Sequence, residues 1–232
     1  MTRASGVLLD LDGTLLDTAP DMAAAVNALR AEHGLAALTL AEIRPHVSHG
    51  SNAVVRTGFP DAPADEFALL RERFLQLYRG ALAVQTRLFD GFEEVLATLD
   101  AQGVRWGIVT NKPGWLTTPL MQALGLASRA ACMISGDTLP VRKPDPLPLL
   151  TGAQQLGSPP QKTLYLGDAL RDAQAAQAAR MLALGARYGY IGEHEDLSSW
   201  PVDGWIETPA QLLDWVALPE SRGRGRGHSA RH

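Results

Sequence analysis

Short apolar runs alternate with helix-period segments along most of this chain, and that alternation restricts the fold more than any other feature. The runs are residues 7–11, 106–110, 131–135, 163–166 and 181–184, with a last short one at 204–206. Apolar residues at helical spacing mark the segments between and after them, at 92–102, 116–124, 147–156, 171–180 and 209–216. Strands that are apolar at nearly every position are buried on both faces, which requires helices on both sides of a parallel sheet. The expected fold class is α/β, with a Rossmann-like parallel sheet as its core.

One long segment breaks the alternation. Residues 18–87 carry no strand pattern. A helix is expected over 20–33, where Met22, Val26 and Leu29 recur on one face, and Gly34 stops it. Helical spacing continues over 38–82, interrupted at Ser48-His49-Gly50 and at Gly58-Phe59-Pro60-Asp61. The segment reads as a small α-helical cap inserted after the first strand, so that 1–17 and 88–219 form the core and 18–87 the cap. The Arg/Gly tail at 220–232 has no apolar residue able to anchor it and is expected to be disordered.

Composition removes several classes of function. Hydrophobic residues make up 46% and charged residues 20%, as in globular proteins. No apolar run is long enough to span a bilayer, and Asp10 and Asp12 interrupt the first one too early for a secretory segment. Cys132 is the single cysteine, read as a core strand residue, so neither a disulfide nor a cysteine-rich zinc site is available. A cytoplasmic protein is expected. The net charge of −4 argues against a nucleic-acid partner, and four arginines without aromatics in the tail do not reverse this. No phosphate-binding Gly-x-x-x-x-Gly-Lys loop occurs.

Ligands of open α/β sheets bind at the carboxyl ends of the strands. There this sequence places Asp10-Leu11-Asp12-Gly13-Thr14, then Thr110-Asn111-Lys112, then Lys143-Pro144, then Gly167-Asp168 with Asp172 one turn later. Four carboxylates at one edge repel unless a cation joins them or some take up protons. An all-oxygen set suits a hard divalent ion, and Mg²⁺ keeps coordination positions for phosphate. Each residue alone has a plainer reading: Asp10 and Asp12 as turn formers, Asp168 and Asp172 as helix caps, Thr110 as a β-former, Lys143 as a loop charge. A calcium loop is ruled out, because Gly13 falls at the fourth position instead of the sixth. Their joint occurrence, each just past a strand, points to phosphoryl transfer. Only three lysines occur in the chain, and two of them, Lys112 and Lys143, stand in these motifs; Lys112 also reads as a surface charge at a helix start.

With these motifs the chain resembles the haloacid dehalogenase superfamily of phosphatases along nearly its whole length. The small helical cap, together with Asp17-Thr18-Ala19-Pro20-Asp21 and Lys143-Pro144-Asp145-Pro146, is similar to the phosphoglycolate phosphatase-like branch. Within that branch it looks most like the bacterial N-acetylmuramic acid 6-phosphate phosphatases. The resemblance implies Asp10 as nucleophile and Asp12 as general acid and base. It implies Thr110 and Asn111 on phosphate oxygens and Lys143 against Asp10 and the phosphoryl group. Mg²⁺ would be held by Asp10, the Asp12 carbonyl and Asp168, with Asp172 as ligand or neighbour. The expected partner is a small phosphorylated metabolite, bound by a monomer or homodimer. A metal-free dehalogenase would not need Asp12 and Asp168, whereas a sugar-phosphate mutase would share all four motifs.

Two departures stand out. The cap loop of phosphoglycolate phosphatases usually reads Gly-x-Gly, but here it is Ser48-His49-Gly50, which points away from glycolate. Arg180 replaces the Gly usual after the last motif helix, so a local backbone adjustment is expected there. His46 and His49 read as exposed histidines or as substrate-facing groups. His49 and Arg56, the latter within two helical turns of the loop, are the cap's candidate substrate contacts, Arg56 for a carboxylate.

Overall fold

The computed structural model describes residues 3–192 and 195–218; the tail expected to be disordered lies outside them. Strand β1 (Gly6–Leu9) leads into a two-residue strand β2 (Leu16–Asp17). Helices α1 (Ala19–Glu32), α2 (Leu40–Ile43), α3 (Gly50–Gly58) and α4 (Ala64–Gly80) follow, and β3 (Arg87–Leu88) returns antiparallel against β2. The chain then runs α5 (Phe92–Ala101), β4 (Arg105–Val109), α6 (Gly114–Ala123), β5 (Met133–Ile134), α7 (Leu147–Leu156), β6 (Thr163–Gly167), α8 (Leu170–Ala178), β7 (Leu182–Ala186) and β8 (Gly204–Ile206).

The main sheet has the order β5-β4-β1-β6-β7-β8, and every pairing in it is parallel. The chain builds outward from β1 through β4 to β5, then crosses to β6 on the other side of β1. The order reverses beside β1, and the carboxyl ends there open a crevice. Residues of β1 are fully buried and alternate between two apolar layers. Val7 and Leu9 join Phe92, Leu96, Trp106 and Ile108 on one face; Leu8 joins Leu149, Ala153 and Tyr165 on the other. Each buried Leu contributes on the order of 2 kcal/mol.

Helices α1, α3 and α4 pack around their own apolar cluster, with Met22, Val26, Leu29, Val54, Phe74 and Tyr78 at its centre. Leu116 and Tyr190, from the sheet side, also belong to that cluster, so the helical layer rests on the sheet layer through shared contacts. A capping box between Thr39 and Glu42 starts α2.

Three local features differ from the sequence reading. The pair β2–β3 was not expected, because two residues per strand leave no period to detect. The closing helix expected at 209–216 is a 3-10 helix, Pro209–Trp215. Val216 is drawn out of it into a bridge with Ala4, and Ala217 N donates to the Ala4 carbonyl. Arg180 keeps a left-handed conformation of the kind Gly favours, with φ of +59°, where a backbone adjustment was expected. It stands just past the end of α8, where its N–H reaches the Gln177 carbonyl, a position that favours Gly.

Candidate active site

The chemistry-bearing residues meet where β1, β4 and β6 end. Asp10 follows β1, Thr110 follows β4, and Asp168 follows β6; Asp172 lies in the first turn of α8. All four are buried. Gly13 closes the turn after Asp12 with φ of +81°, and any side chain there would collide with the Asp168 carboxylate and Ser48 Oγ.

Lys143 anchors the floor. Its Nζ lies 2.8 Å from Asp10 Oδ1 and 2.7 Å from Asp172 Oδ1. It also donates to the Val109 carbonyl at 3.0 Å and to the Tyr165 hydroxyl at 2.7 Å. The ammonium is thereby fixed from four sides. Asn111 holds the same residue by its main chain: its amide donates to the Lys143 carbonyl at 3.0 Å and accepts from the Lys143 N–H at 3.1 Å. The Asn111 side chain, expected on phosphate, thus faces the Lys143 backbone.

Asp10, Asp168 and Asp172 can each present a carboxylate oxygen within 4.8 Å of the others. Asp10 Oδ1 is buried without a hydrogen bond, with the Lys143 ammonium 2.8 Å away as its ion-pair partner. Asp168 accepts from Thr14 Oγ1 at 3.1 Å, Ser48 Oγ at 2.6 Å and the Tyr190 N–H at 2.9 Å. Even so, burial, then the charges of Asp10 and Asp172, push its carboxyl up to about 7. Three crowded carboxylates, one with a buried oxygen that makes no hydrogen bond, fit a hard cation. The Asp12 carboxylate lies outside this trio; only its main-chain carbonyl was expected to serve the metal.

Asp12 is engaged elsewhere. Thr18 Oγ1 donates to Asp12 Oδ1 at 2.7 Å, and Lys112 Nζ reaches Oδ1 at 2.9 Å and Oδ2 at 3.2 Å. Lys112 also donates to the Tyr78 hydroxyl of α4 at 3.0 Å. Its side chain is only 4% exposed, which sets aside the surface-charge reading. Burial opposes its charge, but Asp12 and Tyr78 outweigh that and hold the ammonium above its ordinary range.

A cavity of about 710 Å³ opens above these groups. Asp10, Asp12, Thr110, Asn111 and Lys112 line it from the sheet; Ser48, His49, Arg71 and Tyr78 line it from the helical layer. His49 is thus on the cavity wall. Its side chain is 49% exposed and lies 3.8 Å from Glu195; burial and Arg171 lower its tendency to protonate, against Glu195. His46 is exposed and does not line the cavity. Arg56 does not line it either, which corrects the sequence reading. Its guanidinium stacks 4.1 Å from the Phe67 ring centroid and donates to the carbonyls of Pro60 and Ala62, closing the α3–α4 turn.

Sequence reasoning missed three residues of this site, Arg171, Tyr78 and Arg71, and noted Ser48 only as a departure in the cap loop. Ser48 ties the helical layer to Asp168, and Arg171 donates to the Ser48 carbonyl at 2.5 Å. Tyr78 and Arg71 came from a helix whose amphipathic pattern marks a buried face but gives no signal for which end of it meets the sheet.

The sequence profile of haloacid dehalogenase-like hydrolases matches residues 7–186. The chain belongs to that family. It is 46% identical over 214 residues to a phosphoglycolate phosphatase of Xanthomonas campestris pv. campestris, covering 92% of this chain and 97% of that protein. It is 41% identical over 215 residues to an N-acetylmuramic acid 6-phosphate phosphatase of Pseudomonas aeruginosa, covering 91% and 94%. The crystal structure of a predicted phosphoglycolate phosphatase from Haemophilus somnus superposes with a TM-score of 0.81 at 27% identity, covering 92% of this chain and 98% of that one. This member of the family is a phosphoric monoester hydrolase with an acidic cluster suited to a metal ion.

Proposed function

We propose that this phosphatase hydrolyses N-acetylmuramic acid 6-phosphate with Mg²⁺, through an aspartyl-phosphate on Asp10. The observation that carries the substrate is the cavity: about 710 Å³ under the helical segment 18–87, which acts as the cap. A two-carbon acid leaves most of that volume to water, whereas a sugar acid occupies more of it and offers groups to its polar walls. Relatives named for either substrate have similar identity, so their names do not decide between the two.

The chemistry follows from the residues. Asp10 attacks phosphorus while the bond to the leaving alkoxide breaks, and Asp12 supplies the proton that the alkoxide takes. Asp12 then takes a proton from the water that attacks the aspartyl-phosphate, which releases phosphate and restores Asp10. Thr110 and Asn111 border the phosphate space, and Lys143 offsets charge on Asp10 and the phosphoryl oxygens. When bound, Mg²⁺ on Asp10, Asp168 and the Asp12 carbonyl, beside Asp172, supplies further charge neutralisation. His49, kept neutral by its partial burial, can donate to or accept from a sugar hydroxyl or acetamide. We assign the enzyme to the cytoplasm, where its one buried thiol, Cys132, stays reduced.

Two measurements test this. Asp10→Asn should lose several orders of magnitude in turnover with an unchanged circular dichroism spectrum; retained turnover would remove covalent catalysis. The wild type should show a higher kcat/KM for N-acetylmuramic acid 6-phosphate than for 2-phosphoglycolate, and His49→Ala should narrow the gap. A preference for 2-phosphoglycolate would transfer the assignment to that ester.

A further inference from the structure

We propose that Arg71, on α4, determines specificity by receiving a carboxylate on the leaving group of the substrate, opposite Arg142 of the core. The proposal rests on the phosphatase reading of the cavity, but not on which carboxylated ester is turned over.

Four arginines elsewhere reach acids, Arg44 with Asp17, Arg73 with Glu32, Arg129 with Glu93 and Asp100, and Arg187 with Glu207, while Arg30, Arg56, Arg87 and Arg105 donate to main-chain carbonyls. Three arginines line the cavity: Arg171 is held by the Ser48 carbonyl, whereas Arg71 and Arg142, from opposite layers, have no carboxylate partner among the described residues. Arg71 Nε donates to Ser51 Oγ at 3.1 Å. That bond fixes the plane of the guanidinium, and its two terminal nitrogens have no acceptor among the described residues. The Arg142 side chain likewise makes no hydrogen bond among them.

The acids on the cavity wall are already engaged. Lys143 holds Asp10, Lys112 holds Asp12, and Asp137 accepts from the Gly114 N–H at 2.7 Å. Two guanidinium groups facing one cavity repel each other unless an anion enters between them. The phosphoryl group is provided for by Lys143 at the floor, so the anion that Arg71 meets is a second one. A carboxylate suits it, being planar and matched to the two parallel N–H donors of a guanidinium. Arg71 belongs to the cap and Arg142 directly precedes Lys143. The leaving-group side of the cavity is therefore Arg71's.

The test uses matched phosphate esters: N-acetylmuramic acid 6-phosphate against N-acetylglucosamine 6-phosphate, and 2-phosphoglycolate against ethyl phosphate. Wild type should prefer the carboxylated member of at least one pair. In Arg71→Gln that preference, as a ratio of kcat/KM values, should fall roughly ten- to a hundredfold, as expected for a lost charge-assisted bond, and mainly through KM. Arg71→Lys keeps the charge but loses the fork, and should give an intermediate ratio. The proposal is overturned if both members of each pair fall by the same factor, if the ratio stays unchanged, or if wild type shows no preference in either pair. Should wild type favour 2-phosphoglycolate over the sugar acid, the sugar reading fails alone, because the second pair still decides the role of Arg71.

Discussion

Replacing Asp168 by Asn should stabilise the metal-free protein while abolishing its response to Mg²⁺. Asp168 is 1% exposed and crowded by Asp10 and Asp172. Burial first, and those charges second, move its carboxyl from an ordinary 3.8 up to about 7. A carboxyl raised in this way holds its proton more tightly in the folded protein than in the unfolded chain. Its contribution to stability is fully present below about pH 4 and is lost as pH rises through about 7. At about pH 7.5 the loss amounts to roughly 4 kcal/mol. Asn has the same shape: its oxygen can still accept from Ser48 and the Tyr190 N–H, and its amide can face Thr14 Oγ1. Hydrogen bonds to a neutral oxygen are weaker than those to a carboxylate, so a net gain of about 2 kcal/mol is expected. That corresponds to a rise in Tm of roughly 4–8 °C for a chain of this size. Thermal unfolding of both proteins in EDTA and in Mg²⁺, at about pH 5 and about pH 7.5, provides the assay. Wild type in EDTA should lose stability between the two pH values and the variant much less, while Mg²⁺ should raise Tm at the higher pH for wild type only. An EDTA-treated variant no more stable than wild type at the higher pH would refute the reasoning, as would equal stabilisation of both by Mg²⁺.

Asn111→Ala should cost about 1–2 kcal/mol of stability, because two hydrogen bonds to the Lys143 main chain are lost, and should lower kcat as Lys143 loosens. Chemical denaturation alongside steady-state kinetics checks this; unchanged stability would mean that Asn111 serves the phosphate alone. Arg180→Gly should relieve the left-handed strain at φ of +59° and raise stability by about 1 kcal/mol, with kinetics as in wild type, and a lowered Tm would contradict it.

The alternation of apolar runs with helical periods settles the parallel sheet, because strands buried on both faces need an apolar residue at nearly every position. The order of motifs at strand ends likewise brings Asp10, Thr110, Lys143 and Asp168 together once that topology is granted. These are local patterns, and one sequence displays them fully. Packing across distant segments is different in kind. Arg56 looked like a substrate contact by its distance along the helix, yet Phe67 and two carbonyls of the following turn hold it. Lys112 was equally consistent with a solvated charge until Asp12 and Tyr78 enclosed it. Ser48 stood out only as a departure from Gly in the cap loop, but its hydroxyl reaches Asp168, 120 positions away in the chain. Only the docking of the helical layer on the sheet could decide these three, since a side chain's partner is chosen by which surfaces meet, and hydrophobic spacing states that a face is buried without stating against what.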